Sequence, residues 1–338
     1  LTKPLGRYLS AVLDPDGRTF LDAGIKPVEK LLYRAARLDP TREQDWQGYT
    51  VSLLIFSVVG LLFTYAVLRL QHLLPLNPRG FGPLSPDLAF NTAVSFTTNT
   101  NWQSYSGESA LSYFSQMVGL TFHNFASAAT GIAVAAALVR SIARQSAKTI
   151  GNFWVDLIRV NLYVLIPICL IYAVFLVSQG QIQNFRPYAG AALVEPYTVQ
   201  EPKLDASGAA VKDKNGQPVL VGKRVETQTI AQGPLASQAA IKMLGTNGGG
   251  FMNANAAHPY ENATPLTNFI QMLSIFLIPS ALTWHLGRTV RNQRHGWTVW
   301  GAMALLFLAG FLACWWAETS GNPRLIALGL DPASGNME

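Results

Sequence analysis

Charge is what this sequence has least of. Of 338 residues only 13% are Asp, Glu, Lys or Arg, about half the share usual in a soluble globular chain. The 25 basic and 19 acidic residues leave five stretches with no charge at all: 46–68, 109–139, 160–185, 262–287 and 295–317. A hydrocarbon core about 30 Å thick is crossed by roughly 20 apolar helical residues, so each stretch can span it, and a pair of soluble domains is excluded. Cysteine is almost as scarce. Cys169 and Cys314 both lie inside apolar stretches, too few for a disulfide scaffold or a thiolate metal site, and they read as packing residues. No Walker A, kinase-like, G-x-S-x-G or H-E-x-x-H string is present, which argues against nucleotide hydrolysis and against a membrane-embedded protease on this chain. No signal-peptide pattern follows Leu1, and the expectation is a chain that has lost its natural start. The net charge of +6 belongs, in such a chain, to basic loops rather than to a nucleic-acid surface.

What is present is an ordered alternation of spans and connectors. Residues 1–48 form a charged segment with an amphipathic piece at Pro27–Leu38 that places Val28, Leu31, Leu32 and Ala35 on one face, as an interfacial helix would. The spans are expected at 49–68, 111–139, 160–177, 266–284 and 297–317, with Pro167 and Pro279 inside the third and fourth. Short basic segments precede span one, separate spans two and three (Arg140, Arg144, Lys148, Arg159), and separate spans four and five (Arg288, Arg291, Arg294). The positive-inside rule puts these in the cytoplasm and the two long connectors, 69–110 and 178–263, outside. His123 and Asn124 inside span two read as interhelical hydrogen-bonding groups rather than a proton relay.

Both long connectors return toward the membrane. In the first, Ser85 and Pro86 open a short helix that runs into the string TNTNWQ at 98–103; in the second, Pro234 opens LASQAAIKML, which runs into GTNGGGFMNAN at 245–255. The likeness continues past the loops, LSYFSQM at 111–117 against LTNFIQM at 266–272, so the two halves read as copies, each a span, a re-entrant helix with its loop, and a span. Irregular backbone at membrane depth must satisfy its carbonyls, and a dehydrated cation can do so. Gly248, Gly249 and Gly250 allow the positive φ that inward carbonyls need, and the half-helix ends at Phe96 and Leu244 aim partial negative charge at the site. Ligation by uncharged oxygen alone suits a large monovalent cation, potassium first.

These strings, with HPYEN at 258–262 and GNPRLIALGL at 321–330, resemble the channel-like, potassium-binding component (KdpA) of the bacterial Kdp potassium-transporting P-type ATPase over nearly the whole chain. The resemblance implies an all-α polytopic membrane protein of membrane-pore-membrane repeats: segment 1–48, a first repeat at 49–140 with its loop at 86–103, a second at 141–287 with its loop at 234–255, and the opening span of a third in 288–338. It is that of a fragment truncated at both ends. It also implies potassium at Thr98, Asn99, Thr100, Asn101 and Gln103 and at Thr246, Asn247, Gly248, Gly249 and Asn255, with Thr246 and Asn247 standing opposite Thr98 and Asn99. No ATP site is expected here; hydrolysis falls to the P-type ATPase catalytic subunit (KdpB), with KdpC and a small single-span protein as further partners in the bacterial inner membrane, and lipid rather than nucleic acid around them. Asp213-Lys-Asn-Gly216 superficially matches a phosphorylation motif but lies in a polar connector, and the piece 206–219 reads as an inserted hairpin. The alternative is a stand-alone potassium channel or symporter of the Trk/Ktr-like pore-loop group.

Overall fold

Where charge is absent the chain is helical. A computed structural model describes residues 1–14, 17–144, 146–203, 210–212, 216–253 and 255–329. Helices α1 (Thr2–Leu13) and α2 (Asp22–Ala35) precede α3 (Trp46–Leu70). The Asp45 side chain starts α3 by accepting the Gly48 N–H at 2.8 Å, which satisfies one of the free donors at the helix start. The short α4 (Pro86–Thr97) and the single turn α5 (Gly107–Ala110) follow. The second span runs Ser115–Ala143, as a π-helical segment to Thr121 and then α6 (Phe122–Ala143). The third, Phe153–Ser178, comprises α7 (Phe153–Arg159), a π segment Val160–Leu165 and α8 (Ile166–Ser178). After strands β1 (Ala189–Pro202) and β2 (Leu220–Ile230) come α9 (Leu235–Leu244), α10 (Pro265–Thr289), α11 (Gln293–Ser320) and α12 (Pro323–Ala327).

Among the described residues five helices are long and apolar enough to cross a membrane, and the chain is a multi-pass membrane protein. Their faces are sorted for that solvent. On α3 the small and polar Ser52, Gly60 and Thr64 are buried, while Val51, Leu54, Val58 and Leu62 are exposed. On α6 the buried face is Ala126, Ala129, Ala133, Ala136 and Ala137, small residues that let backbones approach closely. Helix α11 contributes no buried apolar side chain; it leans on α10 through Phe276 and Phe307, 4.9 Å between ring centroids, and through the Trp300 indole donating to Ser280 at 2.6 Å.

Both π segments have identifiable causes. Pro167 has no N–H and its ring crowds the carbonyl four residues earlier, and just before it the Ile166 N–H reaches back five residues to Asn161 O. In the second span the Gln116 carbonyl accepts the Thr121 hydroxyl at 2.9 Å and Gln238 Nε2 of α9 at 3.2 Å. That carbonyl is thereby turned out of the helical ladder toward a neighbouring element, the situation in which π turns recur.

One part of the architecture differs from the all-α expectation. The connector after the third span carries an antiparallel two-stranded hairpin, β1 on β2, whose register shifts between Ala192 and Tyr197. Pro196 lies in that interval and has no N–H for the ladder. Neither strand has the strict apolar–polar alternation that marks a half-buried strand, since both faces are largely exposed, and that removes the signal. Half of the piece 206–219, including Asp213–Asn215 of the motif singled out above, lies outside the described residues; Lys212 and Pro218 bridge. At the other end of the chain, α1 packs against α10, with Leu9 and Val12 fully buried and Thr2 and Ser10 hydrogen-bonded to Ser280 and His285. The apolar face of α2 is exposed at Val28, Leu31 and Leu32.

Candidate ion-binding site

The two short helices α4 and α9 end in the same way. After Thr97 the chain turns with Thr98 N–H to Val94 O, Asn99 to Phe96, and both Thr100 and Asn101 to Ser95; after Leu244 it turns with Gly245 N–H to Ile241 O, Thr246 to Met243, and both Asn247 and Gly248 to Lys242. Four bonds recur in one pattern, 147 positions apart. The backbone signs agree as well: φ is positive at Asn99 (62°) and Asn101 (56°), and at Thr246 (58°) and Gly248 (89°). This register pairs Asn99 with Thr246 and Asn101 with Gly248, one residue away from the alignment of the two Thr-Asn strings. Asn tolerates the left-handed region better than other side chains and Gly tolerates it freely. Thr246 does not, and its conformation there is strained.

The loops are locked to each other and to α6. Asn99 Oδ1 accepts Asn247 Nδ2 and the Ser127 hydroxyl, the latter at 2.8 Å, and Asn99 Nδ2 donates to Gly245 O at 3.4 Å. Asn101 Nδ2 donates to Asn124 Oδ1 at 2.7 Å, and Asn124 Nδ2 to Gly249 O at 3.4 Å. Gln103 clamps Gly250 with both ends of its amide: Oε1 accepts Gly250 N–H at 2.8 Å and Nε2 donates to Gly250 O at 3.1 Å. Asn255 returns its N–H to Gly248 O at 2.6 Å. The Thr98 and Thr100 hydroxyls face each other at 3.1 Å.

Side chains that were read as ion ligands are therefore largely occupied as wall. Asn99 and Gln103 have committed both ends of their amides, and Gly248, whose carbonyl was expected at the ion, offers it to Asn255. What is left open is backbone: among the described residues the carbonyls of Thr98, Asn99, Thr100, Thr246 and Asn247 accept no hydrogen bond. The buried Asn101 Oδ1 and Asn247 Oδ1 also lack a partner among the described residues. A cavity of about 160 Å³ is lined by Asn99 and Thr246 of the two loops with Ser127, Ile132, Ile278 and Pro279, among others, room for about five waters at liquid density. The helix C-termini of α4 and α9 add roughly half a negative charge each. No carboxylate stands in 98–103 or in 245–255.

All ten residues singled out from sequence lie in these two loops, with Asn255 returning against Gly248. The two that sequence reasoning missed are Asn124 and Ser127, which carry the loops on α6. Their signal was there: polar residues three apart in an alanine-rich, charge-free span. The interhelical hydrogen bond expected of both His123 and Asn124 is made by His123 alone, which pairs with Thr64 of α3 at 2.8 Å, whereas the partners of Asn124 lie in the loops. Behind the second loop, Lys242 and Glu261 form an ion pair at 2.7 Å with both side chains fully buried.

Comparison with known proteins bears on this arrangement. The family model described as "Potassium-transporting ATPase A subunit" matches residues 1–338. The potassium-transporting ATPase potassium-binding subunit of Ralstonia pickettii is 54% identical over 341 residues, covering 100% of this chain and 57% of that protein. Its namesake from Koribacter versatilis is 52% identical over 345 residues, with 100% and 56% covered; that of Dechloromonas aromatica is 55% identical over 336 residues, with 99% and 56% covered. The chain thus spans a little over half the length of these relatives, and the stand-alone channel or symporter alternative is not favoured. With a family match along its whole length and relatives above 50% identity, this chain belongs to the KdpA family of potassium-transporting ATPase A subunits.

Proposed function

We propose that this chain builds two pore loops of a potassium-binding protein, a non-catalytic part of an ATP-driven potassium transporter, and that the ion held by these loops is passed on to a P-type ATPase partner. The two segments 49–140 and 141–287 act as membrane-pore-membrane repeats in this reading. The observation that carries it is the shared four-bond turn after α4 and α9, which leaves five carbonyls uncommitted, two of them on Asn99 and Thr246, residues that line one small cavity. Ligation by uncharged oxygen at the ends of two half-helices suits a monovalent cation; magnesium and calcium sites draw on carboxylates, and none stands here. The names of the relatives specify potassium and an ATPase. KdpB, KdpC and a small single-span protein are the expected partners, in a bacterial inner membrane. The basic segments before α3, between α6 and α7 and between α10 and α11 would face the cytoplasm, and the β1–β2 hairpin the outside.

Gln103 tests the reading. Replacing it with Arg removes the clamp on Gly250 and adds a charge that cannot be shed. Two unit charges about 8 Å apart repel by roughly 2 kcal/mol at an effective dielectric of about 20. In the full-length complex, potassium half-saturation of ATP hydrolysis is expected to rise by more than about tenfold. Gln103→Glu keeps the acceptor for Gly250 N–H and adds an attractive charge but loses the donor to Gly250 O, and its shift is expected to be smaller. Wild-type half-saturation in both variants would place the ion elsewhere.

A further inference from the structure

The Lys242–Glu261 pair sits where stability gives no reason for it. Taking two charges out of water costs more than most pairs return, and apolar residues of the same volume usually stabilise as well or better. Its position suggests another role. Lys242 lies in the last turn of α9, and its own carbonyl accepts the N–H groups of Asn247 at 3.1 Å and Gly248 at 3.2 Å, which begin the second loop. Its ammonium donates to Asn253 O at 2.6 Å, on the returning limb of the same loop, and to Glu261 Oε2 at 2.7 Å. Glu261 Oε1 accepts the N–H of Met252 at 3.3 Å. The Glu261 carbonyl is held in turn by Gln271 Nε2 at 2.6 Å and by Gln181. One lysine thus ties the two limbs of the loop, and its stem runs under Gly250, where an added Cβ would meet Lys242 Cδ at 3.2 Å.

Among the described residues the first loop has no such brace. The residue whose carbonyl plays the same part there is Ser95, accepting Thr100 and Asn101 N–H, and its buried hydroxyl has no partner among them. The first loop is held by α6 and by the second loop, through Asn124, Ser127 and Asn247. The spacing of the whole constellation therefore refers back to the limb-to-limb tie in the second. We propose that the Lys242–Glu261 pair is a positioning device that sets the width of the second loop and thereby which monovalent cation the site accepts. This rests on the pore-loop reading. Potassium and rubidium differ little in radius, and discrimination between them requires carbonyls held against relaxation by something stiffer than loop backbone, which a fully buried, geometrically fixed ion pair supplies.

The test uses the full-length protein in its assembled complex, with half-saturation and maximal rate of ATP hydrolysis measured for potassium and rubidium. The double variant Lys242→Met with Glu261→Gln removes both charges and leaves none uncompensated. Its potassium half-saturation is expected to rise about tenfold, the result of losing about 1.4 kcal/mol of binding. Rubidium should be affected less, so the preference narrows, while the maximal rate stays within about twofold, as for a loss confined to binding. Wild-type values for both ions overturn the proposal. Should the double variant not assemble, Glu261→Asp decides: it keeps the charges but draws the carboxylate back by one methylene, and an unchanged potassium-to-rubidium ratio overturns the proposal equally. Gly248→Ala separates the two levels. A changed ratio there beside wild-type behaviour in the pair variants removes only the positioning role, whereas wild-type behaviour in Gly248→Ala, Gln103→Arg and Gln103→Glu together removes the pore-loop reading itself.

Discussion

At Gly248 the backbone stands at φ +89°, and a Cβ built there would meet Asn255 Oδ1 at 2.6 Å. Two penalties therefore act on any side chain: the left-handed conformation, roughly 1–2 kcal/mol, and displacement of an asparagine that itself sits at positive φ. Gly248→Ala is expected to weaken potassium half-saturation severalfold, or about 1 kcal/mol or more, and to admit smaller cations; uptake of potassium against sodium and rubidium by the assembled complex checks it. Unchanged selectivity would take Gly248 out of the site. Of the glycine triplet only Gly248 takes the positive φ expected from the sequence; at Gly249 and Gly250 a side chain is excluded by close approach, a Cβ there meeting Asn101 O and Gln238 respectively. What the sequence could not reveal is that the Gly248 carbonyl turns to Asn255 and that the open carbonyls belong to Thr98, Asn99, Thr100, Thr246 and Asn247. That assignment depends on peptide orientations set by partners far away in the chain.

Among the elements, α10 owes its start to a local motif. Thr264 is the N-cap of α10 and exchanges bonds with Thr267 in a capping box: Oγ1 accepts the Thr267 N–H at 3.2 Å, and the Thr264 N–H donates to Thr267 Oγ1 at 3.0 Å. Thr264→Ala should cost about 1 kcal/mol and Thr264→Ser only a fraction of that. Thermal unfolding of the detergent-solubilised complex would show a lower midpoint for the alanine variant; equal midpoints for Ala, Ser and wild type would mean that packing, not the cap, begins the helix. The π segment before Pro167 belongs to the same scale. Its cause was readable, since proline in a span disturbs the ladder, but the one before Phe122 was not, because it answers to Gln238 across the molecule.

For the molecule as a whole, orientation is the open quantity. By the positive-inside rule the β1–β2 hairpin is expected outside and the segment between α6 and α7 inside. Val194, 98% exposed on β1, and Ser146, exposed after α6, report on the two sides. In a Cys314→Ser background, a membrane-impermeant maleimide should label Val194→Cys in intact cells, and Ser146→Cys only after permeabilisation. The reverse pattern would mean an inverted topology. A second charge cluster marks the end expected inside: Arg144 and Thr149 close on Glu43, and the guanidinium, the larger influence, holds its carboxyl below the usual range. The pair joins the segment before α3 to the α6–α7 connector. It is partly exposed, so little stability rests on it. What does rest there is present above the ordinary glutamate range and fades as pH falls through the depressed value.

The sequence alone determined the spans, the basic connectors and the two uncharged Gly, Thr and Asn loops. Those are local facts with local causes: twenty-odd residues without charge have only the helix open to them in lipid, and a helix that runs into Thr-Asn-Gly must end. The pairing of Asn99 with Thr246, the amide clamp of Gln103 on Gly250, the service of Asn124 and Ser127 to the loops, and the Lys242–Glu261 brace were decided by tertiary structure. Several of these bonds join residues more than a hundred positions apart, and no periodicity or composition encodes which amide meets which carbonyl. The hairpin escaped for the opposite reason. With both faces exposed it leaves no hydrophobic pattern, and cross-strand pairing rather than burial holds it together.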